Sequence, residues 1–335
     1  MPSLFKSAAQ PFSISAQSKA SIQFAKPTIS NIFQTSLSSM SPSYPKPSSK
    51  SAQFAAKTQL IKTTTESNTW RDQVRGSVGI VPTMGALHKG HLSLVRRSLQ
   101  MCDTTVVTLF LNPAQFRIDE DLDQYPKTLE ADIKLLEGLD VPLVFIPDTK
   151  TMYTKDHSFY MDETLLSKYQ EGISRPDFFK GVCTIVAKIF NIFDPSHAFF
   201  GEKDAQQLHI IKKMIADMNY ATALVPCPTI RDERGLALSS RNQYLGPAEQ
   251  KEAALIYLSL MRVKEALDEG QKNAVTLKKT FKNSLMGASG FRIDYISIAS
   301  SQTLEEVQIV DQDILVSTAV FFGNIRLIDN FSYTT

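Results

Sequence analysis

Short apolar runs alternate with amphipathic segments between Val78 and Val225, and this alternation restricts the possible folds more than any other feature of the chain. The run Thr105–Leu111 is apolar almost throughout and rich in β-branched residues, which is typical of a strand buried on both faces of a parallel sheet. The predicted strands are Val78–Pro82, Thr105–Leu111, Val141–Ile146, His197–Phe200 and Ala221–Val225. The predicted helices between them are Leu92–Met101, Asp121–Leu139, Val182–Phe193 and Asp204–Asn219. The alternation predicts an α/β fold built on a Rossmann-like, doubly wound parallel sheet.

A different pattern begins near Ile230. Two amphipathic helices are predicted there, followed by three strand-like runs: Ala248–Glu269, Val275–Leu285, Phe291–Ala299, Ile314–Phe322 and Ile325–Asp329. Consecutive helices followed by consecutive strands favour a smaller α+β C-terminal domain. A chain of 335 residues has the length of about two domains. We therefore expect residues 63–229 to form the first domain and residues 230–335 the second.

Residues 1–62 are rich in serine and show no sustained helical or strand pattern, which predicts a disordered extension. The first 65 residues contain seven lysines and no Asp, Glu or Arg. A serine-rich segment without acidic residues is also typical of a mitochondrial transit peptide, although such peptides usually contain arginine. Both interpretations stay open, and we expect the protein to be cytoplasmic, or mitochondrial if the extension is a transit peptide.

The charge and hydropathy of the rest of the chain argue against a nucleic-acid partner and a membrane partner. Because the whole chain has a net charge of +2, removing the seven lysines leaves the remainder at −5, which argues against a nucleic-acid partner. No window approaches about 18 uninterrupted apolar residues, which argues against a membrane partner. The three cysteines form no close pair, so neither a disulfide framework nor a zinc site is expected.

The segment Pro82–His91, with the sequence PTMGALHKGH, follows a predicted strand and opens a predicted helix. Open α/β sheets bind their ligands at this position, and a helix N-terminus presents unpaired N–H groups to an anion. Gly85 and Gly90 allow the backbone to approach a ligand closely, and imidazoles at His88 and His91 can donate hydrogen bonds to phosphate oxygens. A two-histidine metal site lacks a third ligand in the segment, and two incidental surface histidines are the other alternative. We interpret the segment as a phosphate-binding site.

Three other segments carry polar side chains near predicted strand ends. Lys203 suits an anionic ligand and Gln207 suits a hydroxyl or carboxylate. Asp204 can join them, cap a helix, or do both. Gln115, just beyond Thr105–Leu111, is placed to recognise a small polar substrate. The third segment is Ser239-Ser240-Arg241, which can clamp phosphate oxygens or, alternatively, form a helix cap followed by a surface arginine.

The sequence His88-Lys89-Gly90-His91 resembles the HxGH signature of the nucleotidyltransferase superfamily, whose members bind ATP and transfer or discard an adenylate. Further segments, in family order and reaching Asn330, resemble the pantothenate synthetases (pantoate–β-alanine ligases): LNPAQF, YPKT, RPDFFKGV, GEKDAQQ, GLALSSRNQYL and GNIRLIDN. The resemblance implies ATP-dependent condensation of (R)-pantoate with β-alanine through a pantoyl adenylate, with release of pyrophosphate and AMP. It also implies a requirement for Mg²⁺, a homodimer, and a C-terminal domain that closes over the site as a lid.

The resemblance assigns roles to individual residues. It implies ATP contacts from Pro82, Thr83, Met84, Gly85, Ala86, Leu87, His88, Lys89, Gly90, His91, Gly201, Glu202, Lys203, Asp204, Ile230, Leu238, Ser239, Ser240 and Arg241. The implied catalytic residues are His91, as a proton donor, with His88, Lys203, Ser239, Ser240 and Arg241. Gln115, Gln207 and Arg175 are implied to bind pantoate or β-alanine, and Asp132 to bind the metal.

The chain departs from the family at a few positions. Phe178 replaces a histidine of the motif RPGHFRGV, and His157 is a candidate to supply what that histidine does. Lys89 stands where a glutamate is common, and residues 153–170 match poorly. His197 and His209 are expected to be structural. The alternatives to the ligase are another HxGH adenylyltransferase, an aminoacyl-tRNA synthetase, and a non-catalytic nucleotide-binding regulator, whose only support is Phe178.

Overall fold

A six-stranded sheet forms the larger half of the structure, a computed structural model that describes residues 57–118, 120–286 and 289–335. Its strands are β1 (Gln59–Ile61), β2 (Val78–Thr83), β3 (Thr104–Leu109), β4 (Leu143–Phe145), β5 (His197–Gly201) and β6 (Ala223–Cys227). Their order is β1-β4-β3-β2-β5-β6, and all pairs are parallel. The predicted doubly wound parallel sheet is confirmed.

The strand order places a switch point between β2 and β5. From β2 the chain continues outward to β3 and β4, and it then crosses to β5 and β6 on the other side. The carboxyl ends of β2 and β5 therefore diverge into loops on opposite sides of one crevice, which is where open α/β sheets bind ligands. The two segments predicted to bind phosphate, after Thr83 and after Gly201, begin at these strand ends.

Seven helices accompany this sheet within the described ranges: α1 (Thr64–Gln73), α2 (Lys89–Met101), α3 (Leu129–Glu137), α4 (Thr149–Met152), α5 (Glu171–Ser174), α6 (Phe178–Phe193) and α7 (Ala205–Asp217). Most residues of α6 are buried, because the sequence is apolar on nearly every face and the helix packs into the main core. Gly181 in this helix lies so close to the Ala114 carbonyl that a Cβ atom would be 2.2 Å from its oxygen. The helix can therefore pack tightly against the loop that carries Gln115.

The C-terminal part forms a second core. Strands β7 (Phe291–Ser300), β8 (Ile314–Phe322) and β9 (Ile325–Tyr333) make an antiparallel sheet that packs with α8 (Pro247–Ala253), α9 (Leu255–Asp268) and α10 (Ala274–Leu285). The predicted smaller α+β unit is confirmed. All described residues nevertheless belong to one compact unit, and the division at residue 230 stays a prediction.

Three predicted elements need correction. The helix predicted over Asp121–Leu139 begins only at Leu129, since Pro126 lies in the preceding turn and cannot continue a helix. The predicted helix Ala248–Glu269 is two helices separated at Ala254. Gln59–Ile61, predicted to lie in the disordered extension, pairs in parallel with β4 as the edge strand.

The predictions of a disordered extension or a transit peptide otherwise concern residues 1–56, which lie outside the described residues. No helix within the described part of the chain is long and apolar enough to cross a membrane.

Candidate active site

A cavity of about 800 Å³ opens at the carboxyl ends of β2 and β5 and extends to the antiparallel sheet. Eleven of the residues predicted to bind ATP or substrates line it: Pro82, Thr83, Met84, His91, Gln115, Arg175, Lys203, Asp204, Gln207, Ser239 and Arg241. The fold thus brings together residues that are up to 159 positions apart in the sequence, from Pro82 to Arg241.

The two histidines of the HxGH segment lie side by side at the start of α2. His88 is the N-cap, and its Nδ1 accepts a hydrogen bond from the Gly90 N–H at 3.1 Å. The His91 Nδ1 accepts from the His88 N–H at 3.3 Å, and the two rings are 4.0 Å apart between centroids. Because a backbone N–H occupies each Nδ1, the proton of each neutral ring lies on Nε2. Both rings can therefore donate a hydrogen bond to an anion.

The histidines are uncharged at neutral pH. Burial, and after it the Lys203 ammonium, lowers the pKa of His88 to about 4. Burial, followed by the charges of His88 and Lys203, lowers the pKa of His91 to about 3. His91 is thus a neutral hydrogen-bond donor before an anion enters, and its predicted role as a proton donor stays a prediction.

Asp132 holds the backbone of the same segment. Its two carboxylate oxygens accept hydrogen bonds from the N–H groups of Ala86 and Leu87, both at 2.8 Å, and one oxygen also accepts from the Thr128 hydroxyl at 3.1 Å. Ala86 has a φ of 50°, in the left-handed region that a non-glycine residue rarely adopts. The carboxylate therefore stabilises a strained turn that leads into His88.

The role of Asp132 as a magnesium ligand stays a prediction, and the turn already uses this carboxylate. The residue is only 3% exposed, and both oxygens are already engaged by the turn. Within the described part of the chain, no group of three or more His, Cys, Asp or Glu residues could hold a metal ion. The magnesium requirement itself stays a prediction.

Lys203 lies in a 3-10 turn, Glu202–Asp204, between β5 and α7. Its ammonium is 3.4 Å from the Asp204 carboxylate and acts electrostatically on both histidines. Asp204 occupies the N-cap position of α7 without making a side-chain cap bond. The side chain of Gln207, in the first turn of α7, reaches the same cavity.

Ser239-Ser240-Arg241 approaches the site from the C-terminal side. Ser239 caps a 3-10 turn over Ser240–Tyr244, and the Ser240 hydroxyl donates to the Ala86 carbonyl at 3.0 Å. The Arg241 guanidinium makes a bidentate ion pair with Asp121, at 2.9 and 2.7 Å. The alternative of a surface arginine is wrong, because this side chain is largely buried and lines the cavity.

Arg175 and Gln115 line the cavity side by side, and the Arg175 Nη2 donates to the Gln115 carbonyl at 3.2 Å. The Arg175 guanidinium pairs with both oxygens of Glu120, at 2.7 and 2.6 Å, and stacks 3.8 Å from the centre of the Phe178 ring. The Gln115 Oε1 accepts from Asn112 Nδ2 at 3.0 Å. Phe178, which replaces the family histidine, thus provides a flat face for Arg175.

His157 does not replace that histidine. Its ring packs edge-on against Tyr153 and Tyr160, with centroids 5.0 and 4.9 Å away, and it is absent from the residues lining the cavity. The His209 ring lies between two carbonyl oxygens, with Nδ1 2.7 Å from that of Ala205 and Nε2 2.8 Å from that of Ser301, so a ring N–H can donate to a backbone carbonyl, in agreement with its predicted structural role. Because the His157 ring does not line the cavity, the hypothesis that it supplies the function of the missing family histidine is wrong.

The other predicted ATP contacts do not line the cavity. Lys89 is exposed, and the Ile230 carbonyl accepts a hydrogen bond from the Leu238 N–H at 2.9 Å. The remaining members of this group, which are neighbours of lining residues in the sequence, are Gly85, Ala86, Leu87, His88, Gly90, Gly201, Glu202, Leu238 and Ser240. Although His88 does not line the cavity, its ring packs against that of His91, which does.

The sequence interpretation missed the acidic partners of the two arginines. Glu120 and Asp121 are adjacent in the chain and neutralise Arg175 and Arg241 respectively. The sequence contains a signal for these ion pairs. A guanidinium in a closed site requires a nearby carboxylate, and the two acidic residues come shortly after the LNPAQF segment.

Comparisons with known sequences found a matching family model and similar proteins. A family model described as pantoate-beta-alanine ligase matches residues 57–332. A pantothenate synthetase of Thermosipho africanus is 45% identical over 254 residues, covering 76% of this chain and 91% of the relative. One from Thermotoga neapolitana is 43% identical over 275 residues, covering 81% and 98%.

Solved structures of similar proteins match the fold of this chain. The crystal structure of a pantothenate synthetase from Thermus thermophilus matches with a TM-score of 0.78 at 37% identity, over 82% of this chain and 98% of that one. A pantoate-beta-alanine ligase from Francisella tularensis, complexed with beta-gamma ATP and beta-alanine, matches with a TM-score of 0.67 at 32% identity, over 82% and 97%.

Proposed function

Because the chain belongs to the pantoate-beta-alanine ligase family and is an enzyme of that kind, we propose that it joins pantoate to β-alanine through a pantoyl adenylate, with release of pyrophosphate and AMP. The observation that carries the proposal is the shared cavity, in which anion-binding groups of both halves face two glutamine amides. The structure of the Francisella tularensis ligase with beta-gamma ATP and beta-alanine supports ATP and β-alanine as substrates.

The cationic end of the cavity suits the triphosphate. Lys203 supplies a compact positive charge, and the Nε2–H groups of His88 and His91 supply uncharged donors. Arg241 completes this set through its guanidinium. Donors that are fixed before the reaction stabilise charge that develops in the transition state, which is usually the largest catalytic contribution.

In the first step a carboxylate oxygen of pantoate attacks the α-phosphorus of ATP. The bond from that phosphorus to the bridging oxygen breaks, and pyrophosphate leaves with the electron pair. Gln115 and Gln207 hold the pantoate, since each amide offers both a donor and an acceptor to its hydroxyl and carboxylate groups. Lys203 and the two imidazoles stabilise the negative charge on the leaving pyrophosphate.

In the second step the amine of β-alanine attacks the acyl carbon of the adenylate. The bond from this carbon to the phosphate oxygen breaks, AMP leaves with that oxygen, and the amine loses a proton as the amide forms. Arg175 binds the β-alanine or pantoate carboxylate, for which its position on the cavity wall is suited. The C-terminal sheet lies across the cavity and excludes water from the adenylate, which hydrolyses readily.

Product release tests this proposal and separates it from the alternatives. With ATP and pantoate alone, we expect pyrophosphate in an amount close to that of the enzyme, and AMP with pantothenate only after β-alanine is added. An adenylyltransferase of another kind transfers AMP to an acceptor of its own, so with pantoate and β-alanine as the only acceptors it would release no pyrophosphate. A nucleotide-binding regulator would release neither product. The predicted homodimer is tested separately by the molar mass in solution, where a purely monomeric species would contradict it.

A further inference from the structure

The C-terminal motif GNIRLIDN has no part in the reaction as proposed, yet it lies on the cavity wall. It occupies the start of β9, where residues four apart lie on the same side of the strand. Arg326 and Asn330 have this spacing, and both contact the half of the protein that contains the parallel sheet. Asp329 points elsewhere and pairs with Arg231, at 2.6 and 2.8 Å.

Asn330 contacts the turn that carries Lys203. Its side-chain Nδ2 donates to the carbonyl of Glu202 at 3.1 Å and to the carbonyl of Lys203 at 2.8 Å. A side-chain amide has two N–H donors, and here they are divided between two consecutive carbonyls. Asp204 makes no side-chain cap bond to α7, and these two bonds from Asn330 are the side-chain contacts from the C-terminal sheet that reach the turn.

The position of the Lys203 ammonium depends on this turn. The side chain is 19% exposed, and its ion pair, at 3.4 Å, is with the adjacent residue Asp204. A contact with a neighbour in the same turn cannot fix the location of the turn itself. Asn330, which comes from a different sheet, can do so.

We propose that Asn330 is a positioning residue for Lys203: the two hydrogen bonds from its amide hold the turn so that the ammonium faces the triphosphate. The C-terminal sheet thereby completes the phosphate site without contributing a charge to it. This inference rests on the proposed binding of ATP phosphates by Lys203.

A double-mutant cycle on ATP affinity tests the inference with the full chain. The variants are Asn330→Leu, Lys203→Met and the double variant, and the dissociation constant for ATP is measured by calorimetry. We expect Asn330→Leu to weaken ATP binding about tenfold, as the loss of two neutral hydrogen bonds would. In the Lys203→Met background we expect the same replacement to change the affinity by less than about twofold, because no ammonium remains to be positioned.

Tyr295→Phe is the matched control. Its hydroxyl also makes a hydrogen bond between the two halves, to Glu171 at 3.0 Å, but this bond does not reach the turn 202–204. Its effect on ATP affinity is expected to be equal in the two backgrounds. Asn330→Asp serves if Asn330→Leu does not fold, because it keeps the shape but places a carboxylate against the two carbonyl oxygens.

The outcomes separate the two proposals. Equal effects of the Asn330 replacement in both backgrounds, or no effect in the wild type, would overturn the positioning role while leaving the ligase function intact. A wild-type protein that does not bind ATP would refute the proposed function and this inference together. Rescue of ATP affinity by Lys203→Arg in the Asn330→Leu protein, through the longer reach of the guanidinium, would support the role.

Discussion

Replacing Asp132 by asparagine separates its role in the turn from a role as a metal ligand. The carboxylate accepts the N–H groups of Ala86 and Leu87, both at 2.8 Å, and is 3% exposed. An asparagine keeps one of these bonds and turns an NH₂ group toward the other N–H. We therefore expect Asp132→Asn to lose one hydrogen bond to a charged group and leave a buried donor unpaired, a cost of about 2–4 kcal/mol.

The assay is thermal unfolding, together with a Mg²⁺ titration of activity. For a folded part of about 280 residues, the entropy of unfolding is roughly 0.6 kcal/mol/K, so a loss of that magnitude lowers the melting temperature by about 3–7 °C. The control is Glu130→Gln, on the same helix but exposed, for which less than about 0.5 kcal/mol is expected. An Asp132→Asn protein that melts like the wild type but needs at least tenfold more Mg²⁺ would refute the reasoning and support the metal-ligand role.

Three further predictions concern the cavity. Because burial lowers the pKa of His91 to about 3, the unfolded chain binds a proton at this ring below about pH 6.5 and the folded protein does not. The free energy of unfolding is therefore expected to fall between pH 7 and 5, and to fall less in His91→Asn. Equal declines in the two proteins, measured by urea unfolding, would contradict this. Phe178→Leu is expected to raise the KM for pantoate about threefold, because it removes the aromatic face that stacks on Arg175. Phe178→His keeps such a face, and its KM is expected to stay within about twofold of the wild type. Equal KM values for the two variants, measured from initial rates, would contradict this. Arg241→Lys should raise the KM for ATP about tenfold, because lysine cannot keep the bidentate pair with Asp121; an unchanged KM would exclude a phosphate role.

The parallel strands were predictable because a buried strand leaves a continuous apolar run in the sequence. The edge strand Gln59–Ile61 was not, since it has three residues and lies between polar segments. Helix α1 was also missed, although its capping box, formed by Thr63 and Glu66, was readable. The separation of α8 from α9 at Ala254 has no Gly or Pro signal, and so it could not be predicted from local sequence.

The site was predictable where the chemistry lies within one segment and not where it depends on contacts across the fold. The HxGH histidines and Lys203 were found because each follows a strand and faces the switch point. The contact of Asp132 with Ala86 joins residues 46 positions apart, and no local pattern distinguishes such a carboxylate from a metal ligand. The contact of Asn330 with Lys203 joins residues 127 positions apart, and it too could not be predicted from a local sequence pattern.

Transfer of oxygen from pantoate to AMP is the most direct test of the adenylate. Pantoate labelled with ¹⁸O in both carboxylate oxygens is incubated with ATP and β-alanine, and the products are weighed by mass spectrometry. One labelled oxygen is expected in AMP and one in pantothenate, because the acyl–oxygen bond breaks in the second step. Unlabelled AMP, or label in inorganic phosphate formed together with ADP, would contradict the proposed reaction.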